Sequence, residues 1–115
     1  MKPNYTYFAT VVRVVDGDTI DVDLDYGDRL RQVRRLRLAG IDAPKQNTEQ
    51  GKLATAYVTS VLPVGLEIIV TTFKPEKYGR QLATVQLPGG ADLATELLQR
   101  ELAVVYTGST PGVSK

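Results

Sequence analysis

Between Asp18 and Leu24 the chain alternates strictly: Ile20, Val22 and Leu24 fall on one face, while Asp21, Asp23 and Asp25 fall on the other. A period of two fits a half-buried strand and not a helix, whose apolar positions recur every three or four residues. Carried back to Asp18, the same period puts a carboxylate on the apolar face. That position is costly unless the charge is paired, hydrogen-bonded or bound to a metal. Gly27-Asp28 then signals a hairpin turn. Residues 31 to 39 read as the returning strand, with Leu36 and Leu38 opposite in phase to Arg35 and Arg37, until Gly40 and Pro44 end it.

The flanking segments extend this pattern. Residues 7 to 15 are β-branched and aromatic, a strand that Asp16-Gly17 closes. Asn47 or Thr48 can cap a helix whose inward face is Leu53, Ala56, Tyr57 and Val61, and Pro63 with Gly65 ends it. Leu66 to Phe73 and Gln81 to Leu87 read as antiparallel partners. Asp92 caps a second short helix with Leu93, Leu97 and Leu98 inward, and Leu102 to Tyr106 is a last extended piece. About five short strands with two short helices imply an α+β, mainly β architecture: a five-stranded Greek-key barrel of the OB type. The expected organisation is an N-terminal tail over residues 1–6, one domain over 7–106 and a loose, Gly/Ser-containing tail over 107–115.

Composition removes several chemistries. The 115 residues include no cysteine and no histidine. Thiolate nucleophiles, disulfides, His-based triads and His-ligated zinc are therefore excluded, leaving carboxylates, Arg, Lys, Tyr and a hard, oxygen-liganded metal. The net charge of +1 creates no broad basic field. The charge is instead sorted locally, with aspartates from Asp16 to Asp28 followed by arginines from Arg29 to Arg37, as cross-strand pairing on a solvated face would require. No apolar run approaches membrane-spanning length, and the N-terminus has no signal-peptide pattern. The expectation is a cytoplasmic, monomeric protein that does not engage membranes, with a mature secreted form left open.

Three stretches carry the chemistry: Val-Asp-Gly-Asp-Thr over 15–19, Arg-Leu-Ala-Gly-Ile-Asp-Ala-Pro over 37–44, and Lys-Tyr-Gly-Arg over 77–80. In order and spacing they resemble the staphylococcal (micrococcal) nuclease family, and the resemblance spans roughly residues 7 to 106. It implies an OB-fold, calcium-dependent phosphodiesterase acting on DNA and RNA. Asp18 and Asp42 would be carboxylate ligands of one Ca2+ ion, with the backbone carbonyl of Ala43 as a further oxygen ligand. Arg37 and Arg80 would grip the scissile phosphate, where planar, permanently charged guanidinium groups answer the charge gathered in the transition state. Lys77 and Tyr78 would line the neighbouring phosphate pocket, and Tyr106 falls near a substrate-stacking tyrosine of the family.

One position departs from the pattern. Where the family normally has a Glu that activates or orients the attacking water, this chain has Lys45. An ammonium has no lone pair to accept a proton, and it repels a nearby divalent cation. Glu49, four residues on, is a candidate substitute, although an early-turn Glu also favours the helix start. The reading is a slow, metal-dependent endonuclease for single-stranded DNA or RNA. The alternatives are a catalytically inactive binder of single-stranded nucleic acid and a protein-interaction domain.

Overall fold

The computed structural model describes residues 5–73 and 80–106. Strands β1 (Tyr5–Asp16), β2 (Thr19–Gly27) and β3 (Leu30–Leu38) form an antiparallel meander. The two-residue strand β4 (Ile41–Asp42) follows, then helix α1 (Glu49–Val61), β5 (Glu67–Thr72), β6 (Gln81–Gln86), helix α2 (Leu93–Gln99) and β7 (Val104–Val105). The barrel closes in the order β1-β2-β3-β6-β5, with β5 returning to β1. Only the β3–β6 seam is parallel, running from Leu36–Gln81 to Leu38–Ala83. This is the α+β, five-stranded OB-type barrel that the alternating strands imply.

Alternation decides what fills it. Ile20, Val22 and Leu24 from β2 join Val11, Leu36, Leu38, Val70 and Val85 in a fully buried core, which Val58 and Leu62 of the first helical segment and Leu93 and Leu97 of α2 complete. The outward side chains of β2 behave as the charge pattern implies. Asp21 accepts from Arg35 at 2.8 and 3.2 Å and pairs with Arg13 at 3.3 Å, while Arg31 bridges Asp23 and Asp25. The hydrogen bond from Arg35 is the main reason the Asp21 carboxyl lies below its ordinary pKa.

Several boundaries differ from those read in the sequence. β1 begins at Tyr5, inside the expected tail, because Tyr5 and Thr6 pair with Thr72 and Thr71 of β5. The expected tail over 107–115 lies outside the described residues. The inward face of α1 is Gly51, Ala54 and Val58, with Tyr57 and Val61 packed against the core as expected, whereas Leu53 is 59% exposed and Ala56 is exposed too. The helix lies so close to the β1–β2 turn that only small residues fit between them, and bulk therefore misidentifies the buried face. β4 went unread because two residues carry no periodicity. It pairs with β7 through Ile41–Val105 and Asp42–Val104, and the Tyr106 N–H extends the ladder to the Gly40 carbonyl at 2.9 Å.

The β2–β3 turn centres on Asp28 and Arg29, one residue later than Gly27-Asp28 suggested, with φ of 54° and 66°. Gly27 pairs with Leu30 across this two-residue loop, where both central residues need positive φ. Among the described residues no hydrogen bond or ion pair of the Arg29 side chain offsets that backbone. Arg29→Gly is expected to raise stability by about 0.5–1 kcal/mol, strain relief being partly offset by a freer unfolded chain. A thermal melt should show a rise of about 2–6 °C.

Candidate active site

The β1–β2 turn sets the first carboxylates. The Asp18 N–H donates to Asp16 Oδ1 at 3.1 Å, which folds Asp16-Gly17-Asp18 into a tight turn. Gly17 at its apex touches two elements: an added Cβ would lie 2.8 Å from the Ala54 Cβ of α1 and 2.9 Å from the Ala43 Cβ. The turn, the helix and the 39–45 segment meet there with no room for a methyl group.

Asp18 is 7% exposed. Its Oδ1 accepts from the Thr19 hydroxyl at 3.1 Å, and its Oδ2 accepts from the Ala43 N–H at 2.8 Å. Arg37 Nη1 lies 3.3 Å from the same Oδ2. Arg37 points out of the barrel by strand phase yet is only 6% exposed, because the segment after β3 folds back over it. Its Nη1 donates to the Leu38 and Ile41 carbonyls at 3.2 and 2.9 Å, and its Nη2 donates to Asp42 Oδ1 at 3.0 Å. One guanidinium fork therefore ties the two aspartates together and pins the chain between them. The Tyr106 ring stands 5.7 Å from the Arg37 guanidinium carbon.

These groups line an open cleft of about 440 Å³, together with Asp16, Thr19, Pro44, Lys45 and Arg80. Of the residues singled out in the sequence, Asp18, Arg37, Asp42, Ala43, Lys45, Arg80 and Tyr106 thus share one cleft. Lys77 and Tyr78 lie outside the described residues. Glu49 is exposed in the first turn of α1 and does not line the cleft. Sequence reasoning passed over Thr19, whose hydroxyl supports Asp18 and whose place in Val-Asp-Gly-Asp-Thr was the available signal.

Lys45 is held by its backbone. Its carbonyl accepts from the Thr48 N–H at 3.0 Å and the Thr48 hydroxyl at 2.7 Å, while that hydroxyl caps α1 by accepting from the Gly51 N–H at 3.0 Å. A Cβ at position 51 would overlap the Lys45 carbonyl, so Gly51 is what lets the segment seat on the helix. The Lys45 side chain is exposed at the cleft rim, and no ion pair holds it among the described residues.

Burial first, and then the neighbouring Asp18 carboxyl, raise the pKa of Asp16 above its ordinary value. The carboxyl groups of Asp16 and Asp18 thus bring two negative charges close together at this end of the cleft. Two aspartates and a main-chain carbonyl make an all-oxygen donor set that suits a hard cation, and such a cation would relieve that charge. Among the described residues no group of three or more potential side-chain ligands converges on a metal position. The fit rests on Asp18, Asp42 and main-chain oxygen.

A closed OB barrel with aspartates and arginines converging at its mouth defines a fold and site suited to phosphate esters. Residues 35–114 match the family model described as Staphylococcal nuclease homologue, and the chain belongs to that family. It is 38% identical over 96 residues to a protein named "Uncharacterized endonuclease" from Escherichia coli O157:H7, covering 84% of this chain and 59% of the relative. It is 40% identical over 91 residues to a "Micrococcal nuclease" of Shigella flexneri, covering 76% and 49%. "Protein ParB" of Escherichia coli is 37% identical over 75 residues, covering 65% and 39%. The chain therefore spans about half the length of the relatives it matches.

The raised Asp16 pKa has a signed consequence. A carboxyl whose folded pKa exceeds its unfolded value burdens the fold at every pH above the folded value, and the burden fades as pH falls through it. Asp16→Asn keeps the acceptor for the Asp18 N–H and removes the charge. In EDTA the variant should melt higher than the parent at pH 7, and the gain should vanish below the ordinary aspartate pKa of about 3.9.

Proposed function

We propose that this chain is a slow, calcium-assisted phosphodiesterase that cleaves single-stranded DNA or RNA internally. The observation that supports it most directly is the Arg37 fork between Asp18 and Asp42 in a cleft that Arg80 also lines. The contacts of Arg37 use Nη1 and one Nη2 hydrogen, and among the described residues none uses Nε. Nε–H and the second Nη2–H form the edge of the guanidinium that can take two phosphate oxygens. Arg80 adds a second permanent positive charge toward the same phosphate. Buried and pre-oriented, Arg37 needs little reorganisation as charge builds on the non-bridging oxygens.

Asp18, Asp42 and the Ala43 carbonyl would hold the Ca2+ ion, which when bound supplies Lewis-acid charge neutralisation at the phosphoryl oxygen. Lys45 cannot take a proton from water while it is an ammonium. A positioned general base is worth ~10²–10⁴-fold, so its loss slows the reaction without abolishing the phosphate-binding machinery. A second reading is binding without cleavage, favoured by the exposed Lys45 ammonium at the rim, which suits a phosphate contact as well as it obstructs catalysis.

The test is cleavage of a fluorescent single-stranded oligonucleotide, with calcium or EDTA. Wild type should cut slowly and only with calcium, Lys45→Glu should cut ~10²–10⁴-fold faster, and Arg80→Ala should be inactive. Cleavage indifferent to Arg80→Ala overturns the proposal. Cleavage by Lys45→Glu alone establishes the binding reading for the natural chain.

A further inference from the structure

The barrel's first three strands run past its core at the end away from the β1–β2 turn. The inward face of that extension is neither apolar nor acidic. Tyr5 and Tyr7 stack with ring centres 6.4 Å apart, and Tyr7 meets Tyr26 edge-on at 5.2 Å. The Tyr26 hydroxyl donates to Gln32 at 2.9 Å. Tyr5 is 56% exposed and Tyr26 38%, unusually open for clustered aromatic rings. Arg34 opposes Val22 across the β2–β3 ladder, which places it on this inward face, and it donates to Gln81 at 3.5 Å. Gln81 directly follows Arg80 of the cleft. Tyrosines, Gln32 and Arg34 thus share one face, and the Arg34–Gln81 contact joins it along the chain to Arg80 of the cleft.

Charge sorting singles out this face. The β2 carboxylates of Asp21, Asp23 and Asp25 lie on the opposite face, where Arg13, Arg31 and Arg35 pair with them. Arg34 lies on the same face as the tyrosines, and among the described residues no ion pair to a strand carboxylate engages it. Open aromatic rings and an arginine on one face, joined along the chain to the cleft through Gln81 and Arg80, match the demands of a polyanion with unpaired bases. Each base offers a π-face whatever its identity.

We propose that Tyr5, Tyr26 and Arg34 form an extended track for single-stranded nucleic acid, on which bases flanking the cleft-bound phosphate stack. The proposal rests on the reading of the cleft as a phosphodiester site and adds where the rest of the strand lies. Six residue steps along β3 lead from Gln32 to Leu38, beside the cleft, a span of roughly 20 Å at strand rise. A dinucleotide in the cleft does not reach the tyrosines, whereas a dodecamer does.

The test is equilibrium binding of fluorescent, cleavage-resistant phosphorothioate dinucleotide and dodecameric oligothymidylate in calcium, for wild type, Tyr5→Ala/Tyr26→Ala, Tyr5→Phe/Tyr26→Phe and Arg80→Ala, each checked for folding by its thermal melt. Wild type should bind the dodecamer more tightly than the dinucleotide. The alanine pair should lose about fivefold or more for the dodecamer alone, by the usual value of base–aromatic stacking. The phenylalanine pair, which keeps the rings, should bind as wild type does. A dodecamer affinity unchanged in the alanine pair overturns the track, as does an equal loss for both lengths or a length-independent wild type. If Arg80→Ala leaves dinucleotide binding unchanged while the tyrosine effect persists, the cleft reading fails and the track stands.

Discussion

A single buried guanidinium holds the functional end of this protein together. Arg37 satisfies the carbonyls of Leu38 and Ile41 and the carboxylates of Asp18 and Asp42 from one planar fork. Without it, Asp18 would be a nearly buried charge with only a hydroxyl and an N–H for company, and the segment after β3 would lose its ties at the Ile41 carbonyl and the Asp42 carboxylate. A lysine could not replace it, since one ammonium cannot reach four acceptors in two directions at once. The β4–β7 ladder and the placement of Tyr106 both follow from that fold-back. Structural support and the proposed phosphate contact therefore reside in the same side chain, and a lesion at Arg37 would damage both together.

The exposed ion pairs around Asp21, Asp23 and Asp25 do a different job. Pairs this open contribute little to stability in water. Their value lies in sorting: each carboxylate is turned outward and matched, so that the inner surface beyond the core carries aromatic rings and an arginine. The strict alternation in β2 achieves this sorting. A slip of one residue would turn Asp21, Asp23 and Asp25 into the core and expel Ile20, Val22 and Leu24.

Much of this was legible in the sequence because it depends on local rules. The period of two fixed the β2 face and flagged Asp18 as a carboxylate in an apolar position, where the structure finds it paired and hydrogen-bonded. Asp92 and Thr48 cap their helices as their residue types suggest. The failures share a cause, which is contact between distant segments. The inward face of α1 was misread at Leu53 and Ala56, because closeness to Gly17 selects Ala54 and closeness to the Lys45 carbonyl selects Gly51. The β4–β7 ladder joins residues more than sixty positions apart, so that β7 was legible as an extended piece but its partner β4 was not. Arg37 looked like an outward strand residue until the fold-back covered it.

The Lys45 segment separates two kinds of constraint. What the fold needs from this position is a carbonyl oxygen, seated on Thr48 and over Gly51, and any residue supplies one. What the cleft receives is a side chain at the rim that the fold does not use. Selection can therefore change the charge at this position almost independently of foldability, while Gly51 and Thr48 keep the backbone in place. On the proposed function, a barrel built this way would move between cutting and holding a nucleic acid by a single substitution, with the same backbone available for the return step.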